Sequence, residues 1–100
     1  MYIDTADIHK IIQTTSAFKI LSDPTRFRLL CLLYKSHDGM CVYELAEAAE
    51  ISHSAASHQL SKLELKGVVE SFREGQTICY KLRDSRFTKN LIHVMTIFTR

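Results

Sequence analysis

Apolar residues recur at helical spacing along the first part of the chain. From Thr5 to Leu21 they approximate one stripe, which predicts a first helix. Asp23 followed by Pro24 predicts the start of a second helix, because aspartate caps helices and proline fits the first helical position. The apolar residues of this second helix cover much of its circumference, which predicts a central place in the core. They are Phe27, Leu29, Leu30, Leu32 and Leu33.

Two helical segments separated by a tight turn come next. Val42 to Ala49 has its apolar residues on one face, and Ser52 can cap a further helix from His53 to about Lys66. Gly67 is placed to end that further helix. The further helix has only one narrow apolar stripe, so most of its surface is polar. The stripe consists of Ala56, Leu60 and Leu63.

The period of the pattern then changes to two. Residues 69–82 predict a β-hairpin that turns at Glu74-Gly75. Cys79 alternates away from the apolar face of this hairpin and is expected to be exposed. The residues expected on the buried face are Ile78, Tyr80 and Leu82.

The last segment returns to helical spacing. Asp84 or Ser85 can cap a helix that ends at about Thr99 and has Phe87, Leu91, Val94 and Phe98 on one side. The element order predicts a mainly α fold with a small β-hairpin, a winged helix-turn-helix (α-α-α-α-β-β-α) in a single domain of residues 1–100. Its predicted parts are a helix-turn-helix at about 42–66, a wing at about 69–82 and a C-terminal dimerisation helix at about 84–99.

Charge is unevenly distributed along the chain, although the net charge is only +2. Residues 1–51 hold five Lys or Arg against seven Asp or Glu, whereas residues 52–100 hold eight against four. An anionic partner is therefore expected to meet the C-terminal half. A short helix, a tight turn and a helix with a polar outer face can lay that second helix in the major groove of DNA. The sequence thus predicts double-stranded DNA as a partner.

Several other classes of protein are not indicated. The three cysteines show no framework spacing, which predicts reduced thiols in a cytoplasmic protein. No signal-peptide pattern and no apolar run of about 20 residues is present, so no membrane partner is expected. No nucleophile paired with a base, phosphate-binding glycine loop or paired carboxylates indicates an enzyme. A winged helix used for protein–protein contact stays open as an alternative.

Four segments carry a resemblance to a known family: residues 21–26 (LSDPTR), 42–46 (VYELA), 57–63 (SHQLSKL) and 67–69 (GVV). With them the chain resembles the ArsR/SmtB family. The resemblance implies a dimeric winged-helix repressor that releases operator DNA on sensing a metal, a metalloid or an oxidised sulfur species. Gln59 stands where the family often has His, and it can still contact a phosphate or base edge. Glu50 stands where the family often has Gly; because a positive φ would cost about 1 kcal/mol there, we expect the turn to avoid it.

Polar residues on the predicted recognition helix and wing are the candidate DNA contacts. Those at the helix start are best placed for base edges, and those that follow suit phosphate or base contacts. We expect a homodimer through the first and last helices that sets two recognition helices about 34–36 Å apart on an imperfect palindrome. The candidate contacts are His53, Ser54, Ala55, Ser57, His58, Ser61 and Lys62 on the helix, and Arg73 and Gln76 at the wing tip.

Cys41 is the candidate metal ligand. It resembles the first of two cysteines that thiolate-type family members carry in this segment, but Tyr43 stands at the second position. One thiolate does not make a soft-metal site, because three or four ligands are normally needed. His37, Asp38 or the partner subunit's His9 could complete a site for a thiophilic metal or metalloid inducer. The alternative is that Cys41 is a partly buried cysteine at a helix start. The protein would then be a DNA-binding regulator without an effector.

Cys31 is the candidate redox residue, because it sits where redox-responsive family members carry one of a reactive pair. Its partner position on the last helix falls near Ile97, so a small apolar core residue is the alternative interpretation. The zinc-type site that some relatives carry on the last helix is not expected. Asp84 is in place, but Arg86, Ile97 and Arg100 occupy the other matching positions. No cofactor is assigned with certainty.

Overall fold

The computed structural model describes residues 4–100. Five helices and three short strands follow one another along the chain. They are α1 (Thr5–Leu21), α2 (Pro24–Ser36), β1 (Met40–Cys41), α3 (Val42–Ala49), α4 (His53–Leu65), β2 (Val69–Glu74), β3 (Thr77–Leu82) and α5 (Arg86–Thr99). The winged helix-turn-helix fold predicted from the sequence is confirmed, with one strand more than expected.

Side-chain oxygens cap the starts of four of these helices. Each cap accepts a hydrogen bond from a backbone N–H of the first turn, at 2.9–3.1 Å, and such a bond contributes about 1 kcal/mol. The predicted caps are therefore confirmed, and the choice left open before α5 is resolved in favour of Ser85. The capping residues are Asp4, Asp23, Ser52 and Ser85.

The three strands form one antiparallel sheet in the order β1-β3-β2. β2 and β3 are joined by the tight Gly75-Gln76 turn, in which Gly75 has a φ of 66°. β1 was not predicted, because two residues are too few to show an alternating pattern. It lies directly before α3 and pairs Cys41 with Cys79. The sheet therefore connects the wing to the start of the helix-turn-helix.

The core lies where α2 packs against α3, α4 and the sheet. Leu29, Leu30 and Leu33 of α2 are buried, as the sequence predicts, whereas Leu32 and Phe27 are only half-buried. The stripe predicted for α4 is also confirmed, since Ala56, Leu60 and Leu63 are all fully buried. A single narrow stripe leaves the remaining faces of α4 free of the core.

The hairpin departs from the predicted alternation at two positions. Ile78, expected to be buried, is 36% exposed, and Cys79, expected to be exposed, is completely buried. The cause is β1, which places Cys41 beside Cys79, while Phe72 of β2 pairs with it on the other side. Tyr80 is buried as predicted, and Leu82 is half-buried.

The turn between α3 and α4 also differs from expectation. Glu50 adopts left-handed backbone angles, φ 59° and ψ 43°, so the predicted avoidance of a positive φ is wrong. The conformation closes α3, because it lets the Ile51 N–H donate to the Ala46 carbonyl at 3.0 Å. The tight link between α3 and α4 thus requires this angle whichever residue occupies the position.

The last helix presents two apolar sides. Leu91, Ile92 and Met95 face the core, whereas Phe98, on the apolar side predicted from the sequence, is 78% exposed. Ile97 beside it is about half exposed. Within residues 4–100, no helix is long and apolar enough to cross a membrane.

The strained turn gives a prediction about stability. Replacing Glu50 by glycine should raise the free energy of unfolding by about 0.5–1 kcal/mol, because glycine adopts the left-handed region without a Cβ clash. Glu47→Gly is the matched control, since the same change inside α3 should lower stability by about 1 kcal/mol. Urea unfolding at one fixed protein concentration measures both. Equal destabilisation by the two variants would contradict the assignment of strain to Glu50.

Candidate nucleic-acid interface

The outer face of α4 carries the sequence-predicted DNA contacts. The start of the helix is fixed by Ser52, whose Oγ accepts from the Ala55 N–H at 3.0 Å. Ser57 is half-buried, and the other predicted residues of the helix are exposed. The exposed set is His53, Ser54, Ala55, His58, Ser61 and Lys62. The helix therefore offers hydroxyl, imidazole and ammonium groups to a partner along one surface.

The wing tip lies close to the first turn of α4. A groove between them is lined by His53 and Ser57 from α4 and by Gln76 and Thr77 from the wing. The structure thus brings part of the two predicted sets together in one groove. Ser61 and Lys62 lie further along α4 and do not line it, and Arg73 is exposed on β2. Thr77 and Ser71 also line this groove and were not predicted from the sequence.

Two side chains that the sequence analysis missed hold this surface in place. The Glu64 carboxylate accepts from the Ser71 N–H at 3.1 Å and from the Ser71 hydroxyl at 2.7 Å, which joins α4 to β2. The Arg28 guanidinium donates to the Ala49 carbonyl at 2.8 Å, which joins α2 to the end of α3. Charge-assisted bonds of this kind are the stronger hydrogen bonds in proteins. Each pair joins two different elements, so the periodicity within one element gave no signal for it.

Two cations at the predicted interface, Lys62 and Arg73, differ from two lysines elsewhere in the chain in forming no ion pair with the described residues. Lys81 pairs with Glu70 at 3.5 Å and Lys89 with Asp84 at 3.1 Å. In the part of the chain that the structure describes, Lys62 and Arg73 form no ion pair. Unpaired exposed cations can meet phosphate without first breaking an internal contact.

Gln59 is less available to DNA than its neighbours on α4. The residue is half-buried, and its Oε1 atom is buried with no hydrogen-bond partner among residues 4–100. A carbonyl oxygen in that position does not face an incoming phosphate or base edge. The expectation that Gln59 contacts DNA therefore receives no support from its placement.

Cys41 has different neighbours from those proposed for it. The structure joins it to Cys79 by a disulfide, so the expectation of three reduced thiols is wrong for this pair. The Glu74 carboxylate Oε2 lies 3.7 Å from the sulfur of Cys41 and 3.8 Å from that of Cys79. Among residues 4–100, Cys41, Glu74 and Cys79 form a group whose sulfur and carboxylate oxygen atoms are close enough together to hold a metal ion. His37 and Asp38 do not belong to this group. The pairing spans 38 residues of sequence and depends on strand register, which spacing does not reveal.

Cys31 is a free thiol on α2, half-buried against α5. Burial raises the pKa of the Cys31 thiol, and the Lys35 ammonium only partly opposes this effect. The α5 residues around it include Met95, Thr96 and Thr99, and no cysteine lies among them. Cys31 therefore lacks both the lowered pKa and the partner thiol of a reactive pair.

The fold and this surface define a class, the winged helix-turn-helix proteins, in which a helix and a β-hairpin flank one groove. A more specific assignment comes from known proteins. The family model described as "Bacterial regulatory protein, arsR family" matches residues 23–71. The chain is also 42% identical over 67 residues to the transcriptional repressor SdpR of Bacillus subtilis, covering 67% of this chain and 72% of SdpR. This protein belongs to the arsR family of bacterial regulatory proteins, as the resemblance indicated.

Two further similarities agree with this assignment. The chain is 36% identical over 86 residues to a transcriptional repressor SmtB homolog of Synechocystis sp., covering 86% of this chain. It spans only 58% of the length of that relative. The crystal structure of the transcriptional repressor BigR from Xylella fastidiosa superposes with a TM-score of 0.79 at 29% identity, covering 96% of this chain and 94% of BigR. The similarity therefore extends over nearly the whole fold.

The environment of Cys31 predicts a low thiol reactivity. Because burial disfavours the thiolate and raises the pKa, the thiolate fraction at neutral pH is smaller than in the unfolded chain. Alkylation of Cys31 by iodoacetamide should therefore be slower in the folded protein than in urea and should rise only at more alkaline pH. Mass spectrometry of the Cys31 peptide measures this rate separately from the other cysteines. Faster alkylation in the folded state at neutral pH would contradict the prediction.

Proposed function

We propose that this protein is a sequence-specific DNA-binding transcriptional regulator, acting as a homodimeric repressor. The observation that carries this proposal is the groove in which the polar start of α4 meets the wing tip. Hydroxyl, imidazole and amide groups at a groove edge suit base recognition, and unpaired cations beside it suit phosphate. The names of the relatives SdpR, BigR and the SmtB homolog, all transcriptional repressors, support the same activity. The activity is binding rather than catalysis.

Each predicted residue has a role in this proposal. His53, Ser54 and Ala55, in the first turn of α4, meet base edges in the major groove. Lys62 meets a phosphate, because its long exposed ammonium group carries charge but no fixed donor geometry. Residues at the wing tip contact the phosphate backbone or the minor groove of the flanking DNA. The remaining residues with phosphate or base contacts are Ser57, His58, Ser61, Arg73 and Gln76.

A second copy of the chain covers the outer faces of α1 and α5. Large apolar side chains are exposed on both helices, which is costly in water and typical of an interface. They continue around an apolar groove between the two helices that is lined in part by Leu21, Phe87 and Val94. The same faces on two copies form an interface with two-fold symmetry, which suits an imperfect palindrome with half-sites about 34–36 Å apart. The exposed side chains are Ile8, Ile11, Ile12, Phe18, Ile97 and Phe98.

In this proposal, binding of an inducer causes the release of DNA. A metal, a metalloid or a reactive sulfur species would favour a dimer whose recognition helices or wings no longer match the operator. Because the operator is chromosomal DNA, the place of action is the cytoplasm. A regulator that binds DNA without any effector is the alternative, and titrating the operator complex with candidate inducers separates the two.

The α4 surface predicts different effects for two substitutions. Lys62→Ala should weaken binding to all duplexes alike and lower the slope of log K against log salt by about one per subunit, since one phosphate contact is lost. Ser54→Ala should change the sequence preference at one operator position by about 1 kcal/mol and leave the salt slope unchanged. Fluorescence anisotropy with the DNA upstream of the protein's own gene, at several salt concentrations, measures both.

Lys89→Ala is the control for charge, because Lys89 is an exposed lysine on α5 that pairs with Asp84. It should change neither the affinity nor the salt slope by as much as Lys62→Ala. If the unmodified protein shows no preference for its upstream DNA over random duplex at moderate salt, the regulator proposal fails. A winged helix used for protein–protein contact would then be favoured.

The apolar faces of α1 and α5 predict the effect of a charge placed there. Phe18→Asp should convert the dimer to a monomer at micromolar concentration, because an unpaired carboxylate would be buried between the subunits. Leu65→Asp is the matched control, since Leu65 is 89% exposed at the end of α4 and outside the proposed interface. Light scattering coupled to size-exclusion chromatography measures the mass. A monomeric unmodified protein would contradict the arrangement.

A further inference from the structure

We propose that Cys41, Cys79 and Glu74 form a binding site for a thiophilic divalent ion of the zinc(II) or cadmium(II) kind. The two cysteines are buried and the carboxylate is exposed, so the group opens to solvent on one side only. Its residues come from β1, β2 and β3, and the site therefore joins the wing to the residue that precedes α3. The effect of the ion on operator affinity rests on the proposed function, whereas binding of the ion itself does not.

The geometry of the three side chains fits such an ion. Zinc–sulfur distances of about 2.3 Å and zinc–oxygen distances of about 2.0–2.2 Å, at a tetrahedral angle, place sulfur and oxygen about 3.5 Å apart. The observed distances from Glu74 Oε2 to the sulfurs are 3.7 and 3.8 Å. Glu74 would therefore need to move little. The two sulfurs would have to separate to about 3.8 Å, a change that side-chain rotation supplies once the bond between them is reduced.

The strand register explains why the three residues meet. Cys41 and Cys79 are directly opposite each other, and Cys79 is opposite Phe72, so all three share one face of the sheet. Glu74 lies two residues beyond Phe72 on β2 and therefore points to the same face. The diagonal position of Glu74 across from Cys79 is within reach of a carboxylate side chain. Three ligands with one open position is a common arrangement for zinc.

Reduction of the Cys41–Cys79 disulfide and binding of the ion require only a common cellular reductant. A cellular dithiol reductant gives two electrons and two protons to the Cys41–Cys79 bond, producing two thiols, and itself becomes a disulfide. Each thiol then releases its proton when the divalent ion binds. Because two protons leave as one doubly charged ion arrives, the net charge of the site does not change. An effect of the ion on DNA binding must then come from geometry, not from added positive charge.

Ion binding would act first on the wing tip. Glu74 is followed immediately by the Gly75-Gln76 turn, and Gln76 lines the groove beside α4. A carboxylate held by the ion would tie the base of this turn to Cys41 and hold Gln76 away from its position beside α4. We expect the operator affinity to fall by about 5- to 150-fold, the usual range of coupling between two sites.

Cadmium(II) titration of the reduced protein tests the site without DNA. The ultraviolet charge-transfer band from thiolate to cadmium should saturate at one ion per chain and should disappear in Cys41→Ser and Cys79→Ser. Glu74→Gln, a substitution at an exposed position, should weaken the ion affinity at least about tenfold. Cys31→Ser is the matched control and should bind as the unmodified protein does. A band that survives Cys79→Ser, or that is lost in Cys31→Ser, would overturn the site.

The operator complex gives the second readout. Cadmium(II) should lower the operator affinity of the unmodified protein and of Cys31→Ser, but not that of Cys41→Ser. Cadmium(II) bound elsewhere would add charge and strengthen binding to random duplex, a result that would overturn the proposal. An intact ion site together with unchanged operator affinity would overturn the link between site and wing. If the reduced, ion-free protein binds no operator at all while the cadmium band is normal, the regulator proposal fails and the ion site stands.

Discussion

The pairing of β1 with β3 is the contact on which the geometry of the surface between α4 and the wing depends. β1 is only two residues long, yet it attaches the start of α3 to the central strand of the sheet. The approach is possible because residue 39 is glycine, with a φ of 95°; a Cβ there would lie 2.6 Å from the Tyr80 carbonyl oxygen. A side chain at this position would push β1 away from β3. The wing would then lose its connection to the start of α3.

Two hydrogen-bonded charges complete the support of α4. Glu64 near the end of α4 accepts two hydrogen bonds from Ser71 of β2, and Arg28 of α2 donates to the carbonyl of Ala49 just before the turn. α4 is thus held to the wing near its C-terminal end and to α2 through the preceding turn. A helix supported in this way presents its outer residues in a fixed arrangement, which lowers the entropic cost of binding a rigid duplex.

Local sequence signals predicted most of the fold. Pairing between distant segments accounts for most of the differences between the predicted and the observed structure. The caps Asp23 and Ser52 and the buried stripe of α4 depend on residues three or four apart, so the sequence displays them directly. β1, the Cys41–Cys79 pair and the burial of Cys79 depend on a register between segments 38 residues apart. At Glu50 the tight turn between α3 and α4 imposes a positive φ, although residues other than glycine prefer a negative φ. The exposed polar face of α4 was predictable from the sequence, but the groove that its start shares with the wing was not.

The position of Cys41, Cys79 and Glu74 determines how an effector bound there would change the surface formed by α4 and the wing. None of its three residues lies on α1 or α5, the helices whose outer faces carry the exposed apolar side chains. A change at Cys41 and Glu74 therefore acts directly on the wing and on the first residues of α3. It reaches α1 and α5 through α2, whose Arg28 contacts the end of α3 and whose leucines pack in the core. A second path runs just before β2, where the Thr88 hydroxyl of α5 lies 3.4 Å from the Val68 carbonyl oxygen. Because close-packed cores resist deformation, the short route through the wing is the more effective one.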